Sequence, residues 1–213
     1  VEQFRRALAN RRLASSFLFV GPPGIGKCRF ALKLAQALLC EATPEQHLEP
    51  CGSCPACQQV AALTHPDLEV VAKPKDRNFI PVDLFIGDRD HRMRVGLCHK
   101  IGLKPYRGGR KMAIIDDADF LNQEGANCLL KTLEEPPPKS IIILIGTSEQ
   151  KQLPTIRSRC QIVRFRPLPE ETVAELLVQQ QLVENRSQAV RLAALSGGSL
   201  ATALELADDQ LDE

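Results

Sequence analysis

The stretch Gly21-Pro22-Pro23-Gly24-Ile25-Gly26-Lys27-Cys28 limits what this chain can fold into more than any other. It fits the phosphate-loop pattern G-x-x-x-x-G-K. The context also fits. Phe17 to Val20 is a short apolar run that reads as a buried strand, and Arg29 to Leu39 places apolar residues at helical spacing. In such a strand–loop–helix unit, Gly21, Gly24 and Gly26 let backbone N–H groups turn inward on a phosphate. Lys27 adds a point charge, and the helix N-terminus adds its dipole. ATP or ADP is the candidate ligand, and the sequence alone leaves open whether it binds. The position after Lys27 normally offers a Ser or Thr hydroxyl to Mg²⁺, but here it is Cys28. A thiol is a poor ligand for a hard cation. The loop can hold phosphate while Mg²⁺-dependent hydrolysis is in doubt.

Further strands are predicted at Asp67–Val71, Met112–Ile115, Ile141–Ile145 and Gln161–Phe165. A helix is predicted over Asn122–Glu135, stopped by Pro136, Pro137 and Pro138. Strands alternating with helices imply a parallel α/β sheet. After Pro167 the strands cease, and 170–181, 187–195 and 199–207 read as three short helices. Residues 73–92 show no period and read as an insertion or long loop. The chain is expected to divide into a sheet domain over 1–166 and a small helical domain over 167–213. At 213 residues it is long enough for both.

Met112 to Asp117 is an apolar strand ending in two acids. Asp116, at the strand's carboxyl end, is the natural carboxylate for Mg²⁺. Asp117 stands where ATPases of this kind carry a Glu that orients water; it is shorter by one methylene, which misplaces its carboxylate.

Cys40, Cys51, Cys54 and Cys57 have the spacing C-x₁₀-C-x₂-C-x₂-C. Four thiolates so close can wrap one Zn²⁺ tetrahedrally and leave no open position, which points to a structural site. The chain holds eight cysteines and opens without a signal peptide, so a reducing cytoplasmic setting is expected. Cys98, Cys128 and Cys160 read as isolated, reduced and partly buried. His47 and His65 fall off the cluster's spacing and read as surface or capping residues. The chain begins at Val1 rather than Met, so further residues are expected upstream.

The net charge is +1 and no apolar run approaches a bilayer span. This balance argues against a strongly basic nucleic-acid binder. Arg5, Arg6, Arg11, Arg12, Arg92, Arg94, Arg107, Arg110 and Lys111 read as solvated faces, with contact to DNA phosphates the sharper alternative.

The string Asn127-Cys128-Leu129-Leu130-Lys131-Thr132-Leu133-Glu134-Glu135-Pro136-Pro137 resembles the N-A-L-L-K-T-L-E-E-P-P stretch of bacterial DNA polymerase III clamp-loader subunits, of the AAA+ class. Ser158-Arg159-Cys160 resembles their S-R-C motif, and Gly197 to Leu200 the start of their third lid helix. The resemblance implies an AAA+ domain, a helical lid, and a collar that this chain does not reach. The isolated fragment is therefore expected to be monomeric or weakly associating. It also implies that the chain takes part in ATP-driven loading of the sliding clamp on primer-template DNA, beside gamma/tau and delta subunits. The zinc module over about 40–57 sits where such subunits carry a cysteine-rich insertion.

Three positions discriminate within the family. Cys28 and Asp117 depart from the ATPase pattern, and Ala201 replaces an Arg that reaches nucleotide phosphates in active subunits. This favours the delta-prime branch, with little or no ATPase of its own, over an active gamma/tau-type subunit. A zinc-stabilised DNA-binding protein retaining the fold is the third reading. Thr147 and Ser148 are candidate sensor hydroxyls, with strand-end turn chemistry as the alternative. Arg159 is implied to act as an arginine finger on a neighbouring subunit; the plainer alternative is a salt-bridged structural arginine.

Overall fold

A computed structural model describes residues 1–10, 12–106 and 109–209. The elements run α1 (Glu2–Ala9), β1 (Ser16–Val20), α2 (Lys27–Leu39), α3 (Pro55–Ala61), β2 (Leu68–Val71), α4 (Asp83–Ile86), α5 (Leu97–Gly102), β3 (Lys111–Ile115), α6 (Gln123–Glu134), β4 (Ser140–Gly146), α7 (Pro154–Arg157), β5 (Gln161–Arg164), α8 (Glu170–Gln179), α9 (Arg186–Leu195) and α10 (Leu200–Asp209). The five strands stand in the order β2-β3-β4-β1-β5. β2 pairs parallel with β3, Leu68 opposite Met112 and Val71 opposite Ile115, and β3 pairs parallel with β4. All five predicted strands are present, shifted by a residue at some ends.

The central strands are buried along their whole length. This is why they read as continuous apolar runs and not as alternating ones: helices cover both faces of such a sheet. Phe4, Phe17, Phe19 and Phe30 cluster with ring centroids 5.2–6.2 Å apart, fastening α1 and α2 to β1.

The chain forms two compact units. One comprises Val1–Phe19 and Cys28–Val163; the other comprises Val20–Lys27 and Arg164–Glu213. The helical unit has its own core of Val173, Leu177, Ala189, Leu192, Ala203 and neighbours, contributed by α8, α9 and α10. Asn185 caps α9 by accepting from Gln188 N at 2.8 Å. Gly197 and Gly198, both at positive φ, end that helix; a Cβ at Gly198 would meet the Leu168 carbonyl and Pro167.

Residues 73–92 are not a bare loop: they contain α4, and Ile80, Phe85 and Ile86 are buried. Ile80 N also donates to the Phe120 carbonyl at 3.1 Å. Their apolar residues fall between Pro74, Pro81 and Gly87, too few and too broken to show a period. Of the two readings for His65, the capping one fits. His65 is 4% exposed, and its Nδ1 accepts from Asp67 N at 3.0 Å.

Candidate functional site

The phosphate loop follows β1 and belongs to the helical unit. Gly24 and Gly26 have φ of 72° and 91°, as the backbone turn requires. A Cβ at Gly24 would collide with Ser199 Oγ and Ala201 Cβ, and Ala201 N donates to the Gly24 carbonyl at 3.3 Å. The loop is thus seated on the first turn of α10. Ala201, the position where a phosphate-reaching Arg is absent, is in direct contact with it. The buried Lys27 ammonium donates to the carbonyls of Gly21 at 2.7 Å and Pro22 at 2.6 Å. Ser199 Oγ accepts from Thr202 N at 3.2 Å and so caps α10.

Cys28, in the first turn of α2, belongs to the sheet unit with Asp116 and Asp117. Burial, a hydrogen bond to the Asp116 carboxylate and the charges of Asp116 and Asp117 push its thiol up to about 12. The Cys28 thiol therefore stays protonated beside the Asp116 carboxylate. Asp117 has φ 57°, a left-handed conformation uncommon for a non-glycine residue, and its N–H donates to Asp116 Oδ1 at 3.0 Å. Burial first, then the Asp116 carboxylate, holds Asp117 above the ordinary carboxylate range, with Lys73 opposing.

Thr147 follows β4. Its N–H donates to both carboxylate oxygens of Asp119, at 3.1 and 3.0 Å, and its hydroxyl donates to Oδ2 at 2.5 Å. Gln152 Nε2 donates to Asp119 as well. The candidate sensor hydroxyl is thus engaged with a carboxylate 28 residues away in its own chain. Asp119 had no sequence signal beyond lying three residues after Asp116.

Arg159 is salt-bridged to Glu134, with 30% of its side chain exposed. Arg159 Nε donates to Glu134 Oε1 at 2.8 Å.

The sulfurs of Cys40, Cys51, Cys54 and Cys57 all lie within 4.8 Å of one another, the one such metal-ligating group among the described residues. Cys40–Cys54 and Cys51–Cys57 are each 3.9 Å apart. These are not disulfides, and tetrahedral Zn–S bonds of about 2.3 Å would put sulfurs about 3.8 Å apart. The backbone builds the cage: Gly52 turns at φ 76°, Cys54 N–H points at Cys51 Sγ (3.3 Å), and Cys57 N–H at Cys54 Sγ (3.4 Å). Burial opposes ionisation of Cys40, but hydrogen bonds from the Cys51 backbone and from Thr43 pull it down to about 5. Burial and the neighbouring thiols push Cys57 the other way. The residues present fit a four-thiolate metal site.

The module is fastened to its unit by contacts the sequence did not disclose. Gln36 Nε2 donates to the Cys57 carbonyl at 2.9 Å. Arg5 reaches Glu49 at 2.6 Å and the His47 carbonyl at 3.0 Å. Arg110 grips Glu45 with two bonds of 2.6 and 3.0 Å.

Of the basic residues, Arg5 and Arg110 are thus paired within the chain, Arg6 pairs with Glu2, and Arg92 and Arg94 are exposed. Lys111 departs from the expected solvated face: it is buried, 3.2 Å from the buried Asp67 carboxylate, which also accepts from Tyr106 N. Arg11 and Arg107 lie outside the described residues. Cys98, Cys128 and Cys160 are free and partly buried, as expected, and the Cys98 thiol lies 3.6 Å from the Cys128 carbonyl.

Residues 1–169 match the family described as DNA polymerase III, delta subunit. The chain belongs to this family. It is 37% identical to DNA polymerase III subunit delta′ of Pseudomonas aeruginosa over 91% of its own length and 56% of the relative's. For subunit delta′ of Escherichia coli the identity is 36%, over 86% and 52%. DNA polymerase III subunit tau of Bacillus subtilis is 30% identical over 97% of this chain and 35% of the relative. The chain therefore spans about half the length of the delta′ relatives. Among solved structures, the RuvB Holliday junction branch migration motor of Thermotoga maritima has the same fold, with a TM-score of 0.56 at 17% identity, covering 96% of this chain and 57% of that one. The fold is that of AAA+ proteins. No helix among the described residues is long and apolar enough to cross a membrane.

Proposed function

We propose that this chain is the AAA+ and lid portion of a delta′-type clamp-loader subunit of the DNA polymerase III holoenzyme. It assists ATP-driven loading of the sliding clamp on primed DNA while hydrolysing little or no ATP itself. The observation that carries the reading is Cys28 in the first turn of α2, in place of a Ser or Thr and beside the acidic pair Asp116 and Asp117. A thiol, pushed up to about 12, stands where Mg²⁺ would need an oxygen ligand, beside the carboxylate that would be the other one. Asp117 and Ala201 depart from the ATPase pattern in the same direction. Higher identity to delta′ than to tau relatives supports the same branch.

In this reading residues 1–166 form the AAA+ domain and 167–213 the lid. Gly21, Gly24, Gly26 and Lys27 retain the ability to hold the phosphates of ATP or ADP, with Cys28, Asp116, Asp117 and Thr147 as vestiges of a catalytic centre. Cys40, Cys51, Cys54 and Cys57 hold one structural Zn²⁺, which ties a protruding segment that has little core of its own. The partners are gamma/tau and delta subunits in the cytoplasm, and through them the clamp and DNA. Arg159 serves a neighbouring subunit's ATP, where a guanidinium neutralises charge developing on the γ-phosphate. The test is ATP hydrolysis by the reconstituted loader carrying Arg159→Ala in the full-length protein. A loss of about a thousandfold at the adjoining site is expected; an unchanged rate would refute the role.

A further inference from the structure

The guanidinium of Arg159 is held by three of its nitrogens at once. Nε and Nη2 both donate to Oε1 of Glu134. Nη1 donates to the Thr155 carbonyl at 2.9 Å and to Ser158 Oγ at 3.2 Å. Glu134 ends α6 and Thr155 lies in α7, so two elements converge on one side chain. Both partners remain substantially exposed, Arg159 at 30% and Glu134 at 49%. Ion pairs this exposed contribute little to stability. What four donor contacts do achieve is to remove rotamer freedom: a planar fork engaged through Nε, Nη1 and Nη2 is held in one orientation at a half-exposed position. A group that must meet charge on another molecule gains from such pre-organisation, because nothing has to reorient at the moment of reaction.

We infer that Glu134 is a positioning residue for Arg159, aiming the guanidinium at an anionic group on a neighbouring subunit. The inference rests on the reading of Arg159 as acting in trans. A single oxygen of Glu134 takes both bonds, so the carbonyl of a glutamine at the same place can take them as well. Geometry is the requirement and the negative charge is not. If Glu134 instead withheld Arg159 from its target, removing it would raise the neighbour's activity.

The experiment measures kcat and KM for ATP in the loader reconstituted from full-length subunits. It compares Glu134→Ala, Glu134→Gln, Arg159→Ala and the double variant Glu134→Ala/Arg159→Ala. Glu134→Ala should lower kcat by about tenfold to a hundredfold with KM and Tm nearly unchanged. Glu134→Gln should restore most of the loss. In the Arg159→Ala background, Glu134→Ala should have no further effect. An unchanged or raised kcat for Glu134→Ala, with Arg159→Ala impaired, would overturn the inference, as would additive losses in the double variant. Full activity of Arg159→Ala would instead sink the trans role itself, and this inference with it.

Discussion

Cys28, in the first turn of α2, stands beside the Asp116 carboxylate at the end of β3, and burial together with that carboxylate pushes its thiol up to about 12. In the proposed reading these two positions correspond to the Mg²⁺ ligands of an ATPase, and here one of them is a protonated thiol.

From this arrangement follows a prediction about nucleotide binding. Calorimetry should find that the wild-type protein binds ADP with nearly the same affinity in Mg²⁺ and in EDTA. Cys28→Ser, which returns a hydroxyl, should make binding tighter in Mg²⁺ by about threefold to tenfold. A wild-type affinity already dependent on Mg²⁺ would contradict this reading. With its thiol pushed up to about 12, Cys28 should also resist alkylation at pH 8 until the protein unfolds.

Asp117 has a pH signature. Its folded-state carboxyl is raised by burial and by Asp116, so the folded form binds a proton more tightly than the unfolded chain. This contribution to stability is greatest below the unfolded value and falls as pH rises through the folded one, above the ordinary carboxylate range. Asp117→Asn removes the repulsion and tolerates the left-handed backbone. It should therefore be as stable as wild type in acid and more stable at pH 7, by up to about 1 kcal/mol. Urea denaturation at pH 4 and pH 7 checks this; an Asn variant less stable than wild type at pH 7 would count against it.

Removal of one cysteine ligand should act locally before it acts globally. Cys54→Ser in chelator-free protein should reduce zinc well below one ion per chain. It should also strip amide protection from residues 40–62 while β3 and β4 stay protected. Hydrogen exchange with metal analysis makes the measurement. Full zinc content in the variant would show that Cys54 is not a ligand.

The Lys111–Asp67 pair predicts a large single-site effect. Both side chains are buried, so Lys111→Ala leaves the Asp67 charge uncompensated and should cost about 3–5 kcal/mol in chemical denaturation. Lys111→Met with Asp67→Asn should recover part of that loss. A cost below about 1 kcal/mol for Lys111→Ala would mean the pair is solvated.

The strands were legible because helices bury them on both faces, so Phe17–Val20 and Ile141–Ile145 appear as unbroken apolar runs. The cysteine cage was legible because three of its four ligands lie within seven residues of each other. What local pattern cannot carry is pairing across the chain. Glu134 and Arg159 are separated by 25 residues, Arg110 and Glu45 by 65. Lys111 looked like one more basic surface residue because Asp67, its partner, lies on the connection into a neighbouring strand. Thr147 offered a hydroxyl in sequence, but only the fold brings Asp119 to it. The residues around Ile80 and Phe85 carried too short an apolar pattern to announce their burial.

Steady-state ATP hydrolysis by the isolated full-length protein, with Mg²⁺ and saturating ATP, tests the central claim most directly. A rate indistinguishable from buffer is expected, because Cys28 offers a protonated thiol where Mg²⁺ needs an oxygen, and Asp117 and Ala201 lack the reach of the groups they replace. Sustained turnover on the order of 1 s⁻¹, within the ordinary enzymatic range, would contradict it and move the chain to the active ATPase branch of its family.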